Sequence, residues 1–590
     1  MSYHQKKNTH RNYHDWSLIT LGILLFWLIF IMPIYLPNMG GSGLKLPQNI
    51  ITCGVIAAIT ATLWLTMPAR KIIHFTVTSH WILLGVLILA IPLLYTAPHW
   101  RDAAFSRWLG LATGVVFYLS WLQSGLSHRW FSWVLYGVLG AVTVQASITL
   151  LQFIASDYVP AWFVYPIVQN RPYGVFQQVN VLASFIATGL ALVLLLFLLP
   201  GFALARNTLE RSRKCLLGLI LVLFSVLLVW LQSRIGWLGG GIAGAMLLLL
   251  GYRTDKRQTL IASGLIVLGM VFAILLQNRG AIENIEHTAS THARLIILHD
   301  TLRMIAEKPW LGWGYGGFEY NFQHYRLAQG LSTSGLDVVR HPHNEILLWW
   351  SEGGVVAAIG ILILIFAGTR LGWQVWRQSR QTQGLNQQVV DFNIALTFVL
   401  IPILLHTQTE YPFSLSAAHW VIFLLLFAQL DRQVSTVSEW RSLSPIISTF
   451  LGGAILAISL GVMVLSGGAL YANLALTSLE RNHWVDIEPA RRAIKFDPWV
   501  NSERWHYDKQ MYSLLVFNRT QDPRLLEEYR HWAQDYLSRR IDMNVYATWL
   551  SIAQYQQDME SYKRIHQEAQ GLFPEDPRFS RVAVQPAESR

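Results

Sequence analysis

Arg340-His341-Pro342-His343-Asn344-Glu345 places two imidazoles and a carboxylate directly ahead of a long apolar run. Ionisable groups at a membrane boundary are costly when idle. A neutral imidazole, with a reference pKa of about 6.5, accepts a proton at near-neutral pH. Two other readings stay open on the residues alone. His-x-His offers two ligands to a metal, although no Cys or acidic cluster stands nearby to complete a site, or the histidines cap the start of a helix. Gln232-Ser233-Arg234 fills a very short turn between two apolar runs. Its guanidinium either snorkels to the interface or grips a phosphate through two parallel hydrogen bonds.

Three further segments carry polar chemistry at the ends of apolar runs. Asn170-Arg171-Pro172-Tyr173-Gly174-Val175-Phe176-Gln177-Gln178-Val179-Asn180 combines a cation, amides and an aromatic, a set suited to a sugar or polar headgroup and also to a capped turn. Arg294 stands at the front of an amphipathic segment with Leu295, Leu298, Leu302 and Ile305 on one face. Behind it, Lys308-Pro309-Trp310-Leu311-Gly312-Trp313-Gly314-Tyr315-Gly316-Gly317-Phe318 reads as a bent loop with exposed rings. Thr409-Glu410-Tyr411-Pro412 closes another tight turn behind His406, where a Glu can orient a His or pair with an Arg.

The elements that must position these residues are transmembrane helices. The chain has 590 residues, of which 53% are hydrophobic and 13% charged, about half the charge of an ordinary soluble domain. A bilayer core about 30 Å thick needs roughly 20 apolar residues of helix. That criterion predicts thirteen spans, near 17–36, 49–67, 79–95, 107–123, 130–154, 179–200, 215–231, 236–250, 259–277, 345–368, 391–408, 415–430 and 446–470. Lys and Arg of short loops favour the cytoplasmic side. With Lys6, Lys7 and Arg11 placed there, Arg70 and Lys71, Arg129, Arg206 to Lys214, Arg253 to Arg257, Arg370 to Arg380, and Arg432 and Arg441 fall on the same side. The opposite short loops hold Lys45, Arg101, Arg107, Arg171 and Arg234. This topology puts the long loop 278–344, the Glu410 turn and the C-terminal segment on the outer side.

Charged residues make up roughly 28% of residues 471–590 against roughly 10% of residues 1–470. The expected organisation is a transmembrane domain, 1–470, followed by a soluble helical domain, 471–590. The tail reads as stacked helical hairpins of tetratricopeptide type, with stops at Phe496-Asp497-Pro498 and Phe573-Pro574-Glu575-Asp576-Pro577. The net charge of +11 is spread in short clusters between apolar runs and gives no nucleic-acid surface. Cys53 and Cys215 lie far apart in apolar runs and make neither a metal site nor a disulfide framework. A transporter would place its polar residues at mid-membrane within repeated halves, whereas here they gather at one face.

Taken together, the His-Pro-His-Asn-Glu stretch, the Ser-Arg turn at 233–234, Arg294 ahead of Lys-Pro-Trp-Leu-Gly-Trp-Gly, and one large outer loop resemble the O-antigen ligase superfamily of bacterial membrane glycosyltransferases. Arg-Pro-Tyr-Gly…Gln-Gln-Val-Asn at 171–180, Glu-Tyr-Pro at 410–412 and the helical tail resemble its protein O-oligosaccharyltransferases (PglL type). The chain departs from that pattern at Val175-Phe176-Gln177 and at Val179. The resemblance implies en bloc transfer of a glycan from a polyprenyl (undecaprenyl) diphosphate carrier to Ser or Thr hydroxyls of periplasmic proteins such as type IV pilin-like proteins. No metal or cofactor is implied, and the setting is the bacterial inner membrane with the site and tail facing the periplasm. It assigns His343 as general base, Arg234 and Arg294 to the leaving diphosphate with Arg171 assisting, and Glu410 to orienting the imidazole. Gln178, Asn180 and Tyr411, with His341 and Asn344, would hold substrate. A lipid A–core ligase and an O-antigen polymerase share these residues.

Overall fold

The computed structural model describes residues 16–65, 72–124, 126–154, 171–176, 178–280, 282, 285, 288–381, 387–435 and 440–580. Lys6, Lys7, Arg11, Arg70, Lys71, Asn170 and Gln177 lie outside them. The protein is a polytopic all-α membrane protein. Among the described residues, ten helices are long and apolar enough to cross a bilayer: Pro47–Trp64, Val77–Leu94, Arg129–Ile154, Val179–Leu198, Asn207–Trp230, Arg234–Thr254, Lys256–Asn278, Glu345–Gln381, Gln387–His406 and Pro445–Arg481. The three other segments expected to span are also helical. Trp16–Ile31 is shorter, Arg101–Leu122 carries Arg101, Asp102 and Arg107 in its first turns, and Ala417–Val434 ends in Asp431 and Arg432.

Helix is the form apolar sequence takes where water cannot satisfy backbone groups, and polar residues mark its starts. Ser233 accepts from the Gly236 N–H, Asp255 from the Gln258 N–H and Ser416 from the His419 N–H, each satisfying an orphan donor of a first turn. The short strands Ile72–His74 and Trp440–Ser442 pair antiparallel, with Ile72 opposite Ser442. They tie together two loops assigned by charge to the same side.

Six helices position the site: α1 (Val179–Leu198), α2 (Arg234–Thr254), α3 (Thr288–Glu307), α4 (Phe318–Ala328), α5 (Glu345–Gln381) and α6 (Ile401–His406). The apolar window of α1 is wholly buried, which makes it the axis of the bundle. α2 and α6 pack against it and against each other. Small residues allow that approach: a Cβ at Gly236 would sit 2.8 Å from Ala183 Cβ, and one at Gly239 would sit 2.9 Å from Pro402 Cα.

α5 is broken at Gly354, where φ is 63° and ψ is −156°. The Lys308–Phe318 loop occupies the break. Trp313 N–H donates to Ser351 O (2.9 Å), Gly314 N–H to Glu352 O (2.8 Å) and Val355 N–H to Pro309 O (2.8 Å). The loop's rings are divided rather than all exposed. Trp310 is exposed, whereas Tyr315 and Phe318 are buried, because the loop folds inward onto the break. Glu352 completes the joint. It is buried, accepts the Phe318 N–H at 3.0 Å and pairs with Arg107. We expect Gly354→Ala to be destabilising. It forces an L side chain into the left-handed region, worth on the order of 1–3 kcal/mol, and drives Cβ into the Trp310 carbonyl. Thermal unfolding in detergent should show a clearly lowered midpoint, and an unchanged midpoint contradicts the proposed joint.

In the C-terminal segment, Ser502–Thr520, Pro523–Leu537, Met543–Tyr555 and Met559–Leu572 pack each on the next around Tyr529, Val545, Tyr546 and Ile565. Pro445–Arg481 runs unbroken through position 470, so apolar block and tail are joined by one helix. The tail also docks on the long loop. His324 Nε2 lies 3.1 Å from Glu568 Oε1, Thr333 Oγ1 donates to Gly571 O at 2.8 Å, and Glu575 accepts from Ser334 and from the Gly335 N–H.

Candidate active site

At one end of the bundle the separated segments meet around Glu410, whose side chain is fully buried. Asn180, on the first turn of α1, donates from Nδ2 to Glu410 Oε1 at 2.8 Å. Arg294, on α3, donates from Nη2 to the same oxygen at 2.6 Å. Ser233 Oγ donates to Asn180 Oδ1 at 2.7 Å, so the α2 cap, the α1 start and the Glu410 turn form one chain of bonds. Arg234 follows directly. It is exposed and donates from Nη1 to Thr291 Oγ1 at 2.8 Å. Thr291 and Arg294 lie three apart on α3, on one helical face. One helix therefore holds one guanidinium and steadies the other. Arg171 donates to Leu231 O at 2.6 Å, at the end of the preceding span.

The His-Pro-His-Asn segment is pinned beside this cluster. Glu345 N–H donates to Thr407 O at 2.9 Å, and Asn344 Nδ2 to Gln408 O at 3.1 Å. Asn344 Oδ1 accepts the Leu347 N–H at 3.0 Å and so caps α5. His343 is left-handed, with φ of 54°. That turn lets its N–H donate to His341 Nδ1 at 3.0 Å, which leaves the His341 proton on Nε2. The His341 ring stacks on Tyr411 at 4.0 Å. Gln232, beside Ser233, is also left-handed, with φ of 48°. Two non-glycine residues held in a sparsely populated region, each next to a functional candidate, mark the site as geometrically constrained.

Electrostatics follow from burial. Burial lowers the His343 pKa below the ordinary histidine value; the Glu410 charge opposes this and the Arg294 charge reinforces it. The ring is thus neutral at near-neutral pH, the form that accepts a proton. Burial holds His341 lower still. For Glu410, burial acts to raise the pKa, but the His406 ring, the Arg294 charge and the Asn180 amide outweigh it and keep the carboxylate ionised. Several buried polar atoms here lack a hydrogen-bond partner, among them His343 Nδ1, His341 Nε2, Gln178 Oε1 and Arg171 Nε. Orphaned buried groups are rare and costly, and this concentration suits a polar ligand. Among the described residues, no group of three or more His, Cys, Asp or Glu is arranged to hold a metal ion.

The structure brings His343, Arg294, Glu410 and Asn180 together, with Arg234 on the adjoining wall. Of the two readings that its sequence context left open, Glu410 takes the pairing with an Arg. Its bonds go to Arg294 and Asn180, and the nearest imidazole is His406, with Nε2 at 3.7 Å from Oε2. Its effect on His343 is through charge. Asn180 spends both ends of its amide on Ser233 and Glu410 and acts as a brace. Beneath Glu410 lies a chain that sequence reasoning missed. His406 Nδ1 is 2.8 Å from Ser184 Oγ, which is 3.3 Å from His419 Nε2, and His419 Nδ1 is 2.9 Å from Ser416 Oγ. The available signal was that His406 and His419 are ionisable residues inside otherwise apolar runs.

Three family models match the chain. An O-antigen ligase model covers residues 219–373, with Arg234, Arg294, His341 and His343. A protein glycosylation ligase model covers 172–197, with Gln178 and Asn180. A model of the C-terminal part of virulence-factor membrane-bound polymerases covers 394–588, with Glu410 and the tail. Over these stretches the chain is similar to the O-antigen ligase superfamily. A putative polysaccharide ligase of Rickettsia conorii is 24% identical over 220 residues, which is 36% of this chain and 51% of that protein. The chain thus spans about half the length of the curated relative it matches. The three matched segments are the ones that converge on Glu410.

Proposed function

We propose that the chain transfers a preassembled glycan from a polyprenyl diphosphate carrier to a Ser or Thr hydroxyl of a protein. The observation that carries this reading is the convergence of a neutral His343 with Arg294, held by Glu410, and with Arg234 at one end of the bundle. The acceptor hydroxyl loses its proton to His343 and attacks the anomeric carbon. The bond from that carbon to the diphosphate oxygen breaks, and the electron pair leaves with the lipid diphosphate. Arg294 and Arg234 stabilise the growing negative charge, the kind of aimed electrostatics that is usually the largest catalytic contribution. Arg171, Gln178, His341 and Tyr411 line the donor's polar part, and Asn344 and Asn180 hold the frame. Direct displacement inverts the anomeric centre. We place the site and tail on the periplasmic face of the inner membrane, in accord with the bias of loop cations, and take type IV pilin-like proteins as acceptors. The protein glycosylation ligase match supports a protein acceptor.

The O-antigen ligase match favours a second reading, in which lipid A–core is the acceptor. Deletion of the gene separates the two. Mass spectrometry of pilin-like proteins should show loss of a glycan from Ser or Thr, with lipopolysaccharide unchanged. Loss of polymer from lipopolysaccharide with protein glycans intact overturns the protein-acceptor reading.

A further inference from the structure

The helix that carries Arg294 wears its apolar stripe on the outside. Ile297, Thr301, Met304 and, at the end of the stripe, Ile305 of α3 are buried, whereas Leu295, Leu298 and Leu302 are 59%, 40% and 46% exposed. Just beyond the helix, Trp310 and Leu311 are 72% and 56% exposed. At 3.6 residues per turn the three leucines lie on the flank next to Thr291 and Arg294, beside the site and not opposite it. A contiguous apolar surface of this kind marks an interaction site.

Two fixed points set its level. At its start, Thr291 binds Arg234, the first residue of span α2. At its far end, Pro309 accepts from Val355, just past the break in α5. The neighbouring Gly353 carbonyl accepts from Tyr95 Oη at 2.8 Å, and Tyr95 directly follows the span Val77–Leu94. Both ends of a 20-residue helix, about 30 Å long, are therefore tied to the ends of membrane spans. A helix held at these two points would lie along the membrane surface instead of rising from it. The span leading toward it, Lys256–Asn278, exposes Leu268, Phe272 and Leu275, a lipid-facing belt that comes before the stripe in the chain. Exposed Arg303 and Lys308, with Glu307, border the leucines, and the two cations suit anionic headgroups.

We propose that α3 is an interfacial helix whose stripe of Leu295, Leu298 and Leu302, extended by Trp310 and Leu311, is covered by the bilayer at the boundary of headgroups and acyl chains. Arg294 and Arg234 then stand at phosphate level beside lipid. An amphiphilic diphosphate would reach them by lateral diffusion, a consequence that rests on the function proposed above, although the depth of the helix does not.

The test places a nitroxide on Leu298→Cys in a Cys53→Ser/Cys215→Ser background. The protein is reconstituted in vesicles of phosphatidylethanolamine and phosphatidylglycerol, and collisions with oxygen and with a nickel chelate are measured. Leu268→Cys and Gln534→Cys serve as lipid and water references. Position 298 should lose nickel collisions and gain oxygen collisions relative to 534, approaching 268. A label that behaves like the one at 534 overturns the proposal. So does shielding from oxygen and nickel alike, which would mean that protein and not lipid covers the stripe. Trp310→Cys gives the same reading should the Leu298 variant fail to fold. Glycan transfer is not read, so failure here is distinct from failure of the functional reading.

Discussion

His343→Ala is expected to lower glycan transfer by about 10²- to 10⁴-fold, the usual worth of a positioned general base, while the protein remains folded in the membrane and lipid-linked glycan accumulates. The expectation rests on geometry as much as on residue type. Burial keeps the ring neutral, its left-handed backbone is locked by the bond to His341, and Asn344 and Glu345 anchor the segment to the Glu410 turn. None of the bonds that hold the segment uses the His343 side chain, so its removal leaves the frame standing. Measurement of transfer in membranes, with the variant's elution profile as a folding control, checks this. Near-normal transfer removes His343 from the mechanism.

Arg294→Gln should be nearly as damaging, and it carries a signature that simple misfolding lacks. Its guanidinium donates to Glu410 Oε1 and is about one third exposed, so one edge is bound while the rest faces the site. Loss of the charge removes stabilisation of the leaving diphosphate and leaves Glu410 buried without its cation. It also moves the titration of His343. The Arg294 charge lowers that pKa and Glu410 raises it, so in the variant the His343 pKa rises. The base is active when neutral, and activity is lost as pH falls through its pKa. Residual transfer should therefore show an acid limb displaced to higher pH than in the parent. A limb that stays in place while rate falls argues against coupling between the two groups. Arg294→Lys restores charge but not the fork, and should recover the limb better than the rate.

The site was legible in the sequence where residue type alone was anomalous. Two histidines at the head of a span and an Arg in a turn that charge bias should leave empty are both expensive placements, and both lie in the cluster. The cations of the sparsely charged side repeat the lesson: Arg107 meets Glu352, Arg171 meets Leu231 O, Arg234 meets Thr291, and Lys45 lies 3.8 Å from Glu503. Partners were not legible. Asn180 and Glu410 are 230 residues apart and Arg294 is 116 from Glu410, and no local period records such pairings. The same reason hid the role of the Lys308–Phe318 loop. Its glycines suggested a bend, but only the break at Gly354 explains what the bend must fit. Ten of the thirteen expected spans were readable from apolar run length, which bilayer thickness dictates. The amphipathic pattern of α3 was also readable, but not which face would be left outside.

The contacts of α4 and its loop with Glu568, Gly571 and Glu575 have a consequence for engineering. α4 also leans toward the Arg294 helix through Arg326, which pairs with the buried Asp300 of α3. The last helices and the long loop are thus one mechanical piece that reaches the reaction centre. A chimera that exchanges the C-terminal helices alone between relatives would set a foreign surface against a loop matched to its own. Grafts that carry residues 288–344 together with the tail preserve the fit.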